Sequence, residues 1–134
     1  MNYFIDTNTC SYFLDGRFQG VLKKFEEIPT SKIKLPSIVI AELYYGAKKS
    51  EKKEYNLNRI EKFLSNYGIA RFDLKAAKIY GDIRADLEKK GQIIGGNDIV
   101  IAATVLSRDG VLVTHNVGEF SRIKNLKIED WTKI

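Results

Sequence analysis

Residues 3–8 read Tyr3-Phe4-Ile5-Asp6-Thr7-Asn8, and this stretch decides the fold. A short apolar run that stops at Asp-Thr-Asn is a strand delivered into helix-start chemistry, because these side chains accept hydrogen bonds from the free N–H groups of a first helical turn. Working outward, the same alternation repeats. The pattern predicts a helix over Phe18 to Glu27 and a second strand over Ile33 to Leu35. Ser37 is expected to cap a helix that runs to about Lys49. Another helix should span about Glu51 to Asn66, where Leu57, Ile60 and Leu64 share one face. Ile69 to Phe72 reads as a third strand. Asp73 should cap a helix with Ala76, Tyr80, Ile83 and Leu87 in a stripe, stopped by Gly91. Ile99 to Leu106 is apolar on nearly every side, which predicts a buried helix. Val111 to Val113 is a fourth strand, and Leu126 to Ile128 a short last one. Strands alternating with helices imply an α/β fold, with four to five parallel strands covered on both faces.

The chain of 134 residues is the size of one domain, expected to span residues 1–134, and can bury a core without disulfides or structural metals. Cys10 is the single cysteine, so no intrachain disulfide can form, which fits a reducing cytoplasm. The N-terminus lacks a basic region followed by a long apolar run, and no apolar stretch approaches ~18 residues, so neither a secretory signal nor a membrane span is expected. Lys and Arg number 22 against 17 Asp and Glu, a formal charge of +5 that favours an anionic partner, commonly nucleic acid. His115 is the only histidine, which excludes a zinc site of the usual nitrogen and sulfur type and any two-histidine ribonuclease mechanism. No GxxxxGK[ST] loop and no GxSxG elbow is present. Gly91 to Gly96 carries three glycines but follows a helix, and reads as a cap and turn.

In parallel sheets, ligands bind beyond the carboxyl ends of the strands. That rule singles out Asp6-Thr7-Asn8 and Thr114-His115-Asn116. Asp6 is either an N-cap or a functional acid. Glu42 stands in Ile38-Val39-Ile40-Ala41-Glu42-Leu43-Tyr44-Tyr45, in or beside a stripe expected to run Ile38, Ala41, Tyr45. A carboxylate there needs an ion pair, a capping-type contact or a metal. Asp98 opens the all-apolar helix and is either its cap, a partner of the helix dipole or a ligand, with Asn97 an alternative cap. Three carboxylates brought to one edge would repel by up to about 4 kcal/mol per pair at ~4 Å with an effective dielectric near 20. A divalent cation removes that repulsion, and a set of hard oxygen ligands favours Mg²⁺ or Mn²⁺.

Four segments in order carry a resemblance: Phe4-Ile5-Asp6-Thr7-Asn8-Thr9-Cys10, the run from Ser37 to Ser50, the run from Ile94 to Thr104, and Leu112 to Ile123 followed by Ile128-Glu129-Asp130-Trp131. The chain resembles the PIN-domain ribonucleases and, within them, the VapC toxins of toxin–antitoxin pairs. The resemblance implies a PIN-like three-layer α/β/α sandwich and an endoribonuclease dependent on Mg²⁺, with Mn²⁺ as substitute. Asp6, Glu42 and Asp98 would be the catalytic acids and metal ligands. Many members carry a fourth acid where this chain has Asn116, so Asn116 and Glu119 are the weaker candidate ligands. Thr7, Asn8 and Thr114 would orient carboxylates and waters. Hydrolysis by a metal-activated water would leave 5′-phosphate and 3′-hydroxyl ends. The implied partners are a cognate antitoxin protein, an RNA substrate with transfer RNA favoured, and a second copy of the chain in a homodimer.

Several residues keep two readings. Arg84 is a candidate RNA phosphate contact or an i,i+4 partner of Glu88. Lys48, Lys49, Lys52 and Lys53 form a solvated face or an RNA-backbone contact. Phe13, Tyr44 and Tyr45 belong to the core or to a partner surface. His115 is a surface or RNA-contact residue, or a general base. A housekeeping RNA-processing nuclease without antitoxin shares the same chemistry, and a neighbouring antitoxin gene separates the two. A phospho-acceptor domain would leave Glu42 without a role, and a binding module without catalysis would leave the inward acids unexplained.

Overall fold

The computed structural model describes residues 1–134. Its strands are short: β1 (Tyr3–Ile5), β2 (Ile33–Pro36), β3 (Gly68–Ala70), β4 (Val111–Val113) and β5 (Lys127–Glu129). They form one parallel sheet in the order β3-β2-β1-β4-β5. β1 is central, with Tyr3 opposite both Ile33 and Val111. Phe4, Ile5, Leu112 and Val113 are completely buried, as continuous apolar strands must be when helices cover both faces.

The helices are α1 (Thr7–Leu14), α2 (Gln19–Glu27), α3 (Ser37–Lys49), α4 (Lys53–Leu64), α5 (Leu74–Lys89), α6 (Gly96–Ser107) and the single turn α7 (Val117–Phe120). From β1 through β2 to β3 the chain steps in one direction, then jumps back across β2 and β1 to β4. Right-handed crossovers put these two sets of helices on opposite faces of the sheet. The result is a three-layer α/β/α sandwich. α6 is its most buried helix, with Ile99 and Ile101 through Val105 shielded from solvent, and it packs along α5. Phe25 contacts Phe13 at 4.3 Å between ring centroids and Trp131 at 5.4 Å, tying the C-terminal turn Trp131–Lys133 onto α2.

The structure shifts several expected boundaries. Ser37 does not cap α3: it is the first helical residue, Pro36 holds the cap position, and the Ser37 hydroxyl reaches the Ala70 carbonyl at 3.4 Å. Proline has a fixed φ and no N–H to lose, so it closes β2 without spoiling the first turn. The buried face of α3 is Val39, Leu43 and Ala47, while Ala41 and Tyr45 face solvent. Residues 38–41 are all apolar, so spacing alone admits more than one inward face there. β3 begins at Gly68 and stops at Ala70, and Ile69 is exposed on this edge strand. α4 starts at Lys53, not Glu51. Asp73 does cap α5, accepting the Ala76 N–H at 3.0 Å, and Gly91 turns the chain with φ +66°.

Gly110 leads into β4 where no side chain fits: a Cβ would collide with the Phe4 ring and lie 3.1 Å from the Asn2 carbonyl. Gly110→Ala should lower unfolding free energy by about 1–3 kcal/mol in urea titrations, the usual cost of overpacking. Gly81→Ala, where the space is open on helical α5, should instead gain about 0.5–1 kcal/mol.

Candidate active site at the carboxyl edge of the sheet

The chain leaves β1 toward β2 and leaves β4 toward β5, so a crevice opens between the carboxyl ends of β1 and β4. Asp6 sits at its floor. The Asp6 N–H donates to the Val113 carbonyl at 3.1 Å, extending the ladder by one bond. Its Oδ1 accepts the Thr9 N–H at 2.9 Å, so this acid is the N-cap of α1 as well as a carboxylate in the crevice. Only 6% of Asp6 is exposed. Burial pushes its pKa up, against the lowering effect of hydrogen bonds from Thr114 and Thr9, and Asp130 adds repulsion.

Glu42 enters from the second turn of α3. No basic side chain pairs with it. Thr7 donates its hydroxyl to Oε1 at 2.6 Å, and Asn97 offers its amide to Oε2 at 3.5 Å. Asp98 lies in the first turn of α6, whose cap position is taken by Gly95 rather than by Asp98 or Asn97. Its charge faces the positive end of the α6 dipole, but the surroundings oppose it. Burial, then the charges of Glu119, Glu42 and Asp6, raise the Asp98 pKa to about 6.

Glu119 of α7 thus joins the acids found from the sequence. Asn116 does so less directly: its side chain is exposed, and its backbone N–H donates to the Thr114 hydroxyl at 3.0 Å. Asn8 is exposed on α1. Arg84 lies on the solvent side of α5, donating to the Tyr80 hydroxyl at 3.0 Å and lying 3.6 Å from Glu88, so the i,i+4 pair is the one formed. Phe13 belongs to the aromatic core, and Tyr45 is exposed with Lys49 over its ring. The four lysines of the charge run are all exposed.

One acid stood in a quoted segment, Ile128-Glu129-Asp130-Trp131, without being given a role. Asp130 follows β5, and its Oδ2 lies 3.0 Å from His115 Nδ1 while Oδ1 accepts from the Thr132 N–H and hydroxyl. Burial alone would raise its pKa, but Thr132 and His115 together hold it below the usual carboxylate range. The signals for it were that segment and its place just after the last short strand.

The acids share one crevice, but no three of them close on a single point at ligand distance. The donor set is nonetheless all oxygen, and the mutual repulsion recorded in Asp98 is the kind a hard divalent cation relieves. In donor chemistry, though not yet in spacing, Glu42, Asp98 and Asp6 suit such an ion.

The family model described as PIN domain matches residues 3–126. "Ribonuclease VapC2" of Rickettsia felis is 42% identical over 134 residues, covering 99% of this chain and 100% of that protein. The "tRNA(fMet)-specific endonuclease VapC" of Salmonella typhimurium is 39% identical over 131 residues, 98% of each chain. The crystal structure of VapBC2 from Rickettsia felis, bound to a DNA fragment from their promoter, superposes with a TM-score of 0.91 at 41% identity over 98% of this chain and 99% of that one. The chain belongs to the PIN-domain family. Within it, the chain is an endoribonuclease of the VapC type, and nucleases of that type are generally metal-dependent. No helix is long and apolar enough to cross a membrane.

A pH dependence follows from Asp98. Its native pKa of about 6 exceeds the ordinary 3.8, so between these values the native state holds a proton that the unfolded chain has released. The stability from this group is full below about pH 3.8 and is lost as pH rises through about 6. In chelator, the melting temperature of the wild type should fall over that window relative to Asp98→Asn. Millimolar Mg²⁺ should flatten the difference, and equal pH profiles for both proteins in chelator would refute the assignment.

Proposed function

We propose that this protein is the toxin of a toxin–antitoxin pair, acting in the cytoplasm as a Mg²⁺-dependent endoribonuclease on transfer RNA. The observation that carries the reading is the crowding of Asp6, Glu42, Asp98 and Glu119 around one crevice, with Asp98 titrating near 6. Support for the partner and the substrate comes from the relatives. VapBC assemblies are among the structural neighbours, and a relative of 39% identity is named as a tRNA(fMet)-specific endonuclease.

Asp6, Glu42 and Asp98 would hold Mg²⁺, with Mn²⁺ as substitute, and Glu119 would complete the charge that Asn116 lacks. When bound, the ion supplies charge neutralisation at the scissile phosphate and lowers the pKa of an attacking water. The chain's own residues do the positioning. Thr7 fixes the Glu42 carboxylate, Thr114 and the Thr9 N–H fix Asp6, and Asn97 steadies the outer oxygen of Glu42. Asp130 orients His115 at the rim, where the imidazole can meet RNA. A homodimer is the proposed assembly. A growth arrest on expression of the chain alone, relieved by Asp6→Ala or by the co-expressed antitoxin, distinguishes a toxin from a housekeeping nuclease.

Asp6→Asn and Asp98→Asn should keep the circular dichroism of the wild type and abolish cleavage, and excess chelator should do the same reversibly. Products should carry 5′-phosphate ends. Full activity in chelator would sink the metal mechanism.

Glu119→Gln should slow cleavage by about tenfold, the scale of losing a group that supports a metal site. Asn116→Asp should tighten Mg²⁺ binding in calorimetry of the free enzyme by adding a charge. If Glu119→Gln is silent while Asn116→Ala is crippling, the roles given to the two residues are reversed.

A further inference from the structure

α1 carries a line of residues outward from the acid crevice. Asn8 is exposed in its first turn, and Tyr12 stands one turn further along the same face. The helix ends in a glycine cap. Gly16 turns at φ +68°, its N–H donates to the Phe13 carbonyl at 3.1 Å, and the Arg17 N–H donates to the Tyr12 carbonyl at 2.8 Å. The turn folds Arg17 back over Tyr12, with the guanidinium carbon 5.1 Å from the ring centroid. Phe18 meets Tyr12 edge to face at 4.9 Å, and Arg17 lies 5.5 Å over the Phe18 ring. The three side chains form one cluster, in which Arg17 and Phe18 are exposed.

The glycine cap accounts for Arg17 on Tyr12, because the residue after the cap glycine commonly packs on the last helical turn. It does not account for Phe18. This residue stands at φ +63°, where a bulky side chain strains the backbone and glycine would not, and its ring is 40% exposed. Core packing therefore does not hold the ring there, and strain of this kind gathers at binding sites. Arg17 is equally uncommitted. Arg84, Arg108 and Arg122 each donate to an acceptor in the protein. Arg59 is locked between α1 and α4, its terminal nitrogens on the Leu14 carbonyl, Asn56 and Asp15 and its Nε–H buried without an acceptor. Arg17 makes no ion pair and no side-chain hydrogen bond, so its N–H groups are free.

We propose that Tyr12, Arg17 and Phe18 form a stacking platform for an unpaired base of the RNA, beside the scissile phosphate. The inference rests on the ribonuclease reading of the acids. Tyr12 lies about 9 Å along α1 from Asp6, so a nucleotide flanking the cut can reach it. Unpaired RNA bases are bound on aromatic rings and guanidinium planes, and every base offers a face for such stacking. The cluster presents a ring for the base and a free cation for the phosphate. An apolar protein segment laid over Phe18 would bury the Arg17 charge without an acceptor, at a cost that a phosphate removes.

Phe18→Gly removes the ring and relieves the backbone, so the melting temperature should stay level or rise. In the cleavage-dead Asp98→Asn background with millimolar Mg²⁺, a single-stranded oligoribonucleotide carrying 2-aminopurine should lose fluorescence as the base stacks. Adding Phe18→Gly should abolish that quenching, and Phe18→Trp should preserve it. KM for the transfer RNA that the wild type cuts should rise about tenfold in Phe18→Gly, the scale of losing one stacked base. Arg17→Ala should weaken binding and also flatten its salt dependence, which Phe18→Gly leaves alone because it removes no charge. Unchanged quenching and unchanged KM in Phe18→Gly would overturn the platform. A melting temperature lowered as by a core truncation would do the same, since the ring would then be structural. So would a Phe18→Gly protein that cuts RNA normally but resists its antitoxin, since the cluster would belong to the protein partner. The quenching is read without cleavage, so a protein that stacks the base but whose wild type cuts no RNA would refute the ribonuclease reading while upholding the platform.

Discussion

Asp6 holds a carboxylate at the end of the central strand with almost no exposure to solvent, and much of the carboxyl edge is arranged around that buried charge. The carboxylate is tolerated because donors reach it from two elements: the Thr9 N–H of α1 and the hydroxyl of Thr114 after β4. Those donors require that β1 and β4 lie side by side in register, Ile5 opposite Val113, and that α1 begin at once. The strand pairing, the helix start and the site are therefore one constraint. Asparagine here would remove the charge and keep the cap, whereas alanine would remove both.

The other acids are held less tightly and further from the sheet. Glu42 and Asp98 approach from helices on opposite faces, and Glu119 from the single turn α7. Each face thus contributes charge to the crevice, and burial together with those charges raises the Asp98 pKa to about 6. A fold that converges four carboxylates on one edge stores repulsion in its native state. An enzyme that works with a divalent cation uses that stored repulsion as affinity for the ion, at the expense of its stability without it.

Asp130 shows the opposite solution on the neighbouring strand. It is a carboxylate like the rest, yet His115 and two groups of Thr132 hold it locally. Its charge is assigned to positioning His115 and capping the last turn. The difference between Asp98 and Asp130 is one of burial and of partners: Asp98 is the more shielded from water and faces Glu119, Glu42 and Asp6, whereas Asp130 is met by Thr132 and His115.

The sequence alone determined the order and kind of most elements, because strand runs such as Val111 to Val113 and the apolar helix around Ile101 have a single compatible environment, the middle of a covered sheet. It also named Asp6, Glu42 and Asp98, since an acid next to an apolar run is conspicuous. What it left open was set by distance in the chain. The inward face of α3 is Val39, Leu43 and Ala47, which only packing against the sheet selects from a run apolar over residues 38–41. Asn97 looks like a cap but turns to Glu42, 55 residues away. The charge of Glu119 on Asp98, the pairing of Asp130 with His115 and the orphaned Nε–H of Arg59 arise only when separate elements are brought together. Local preference is a matter of neighbours along the chain, whereas electrostatic coupling and unsatisfied burial depend on neighbours in space, and only the tertiary structure supplies those.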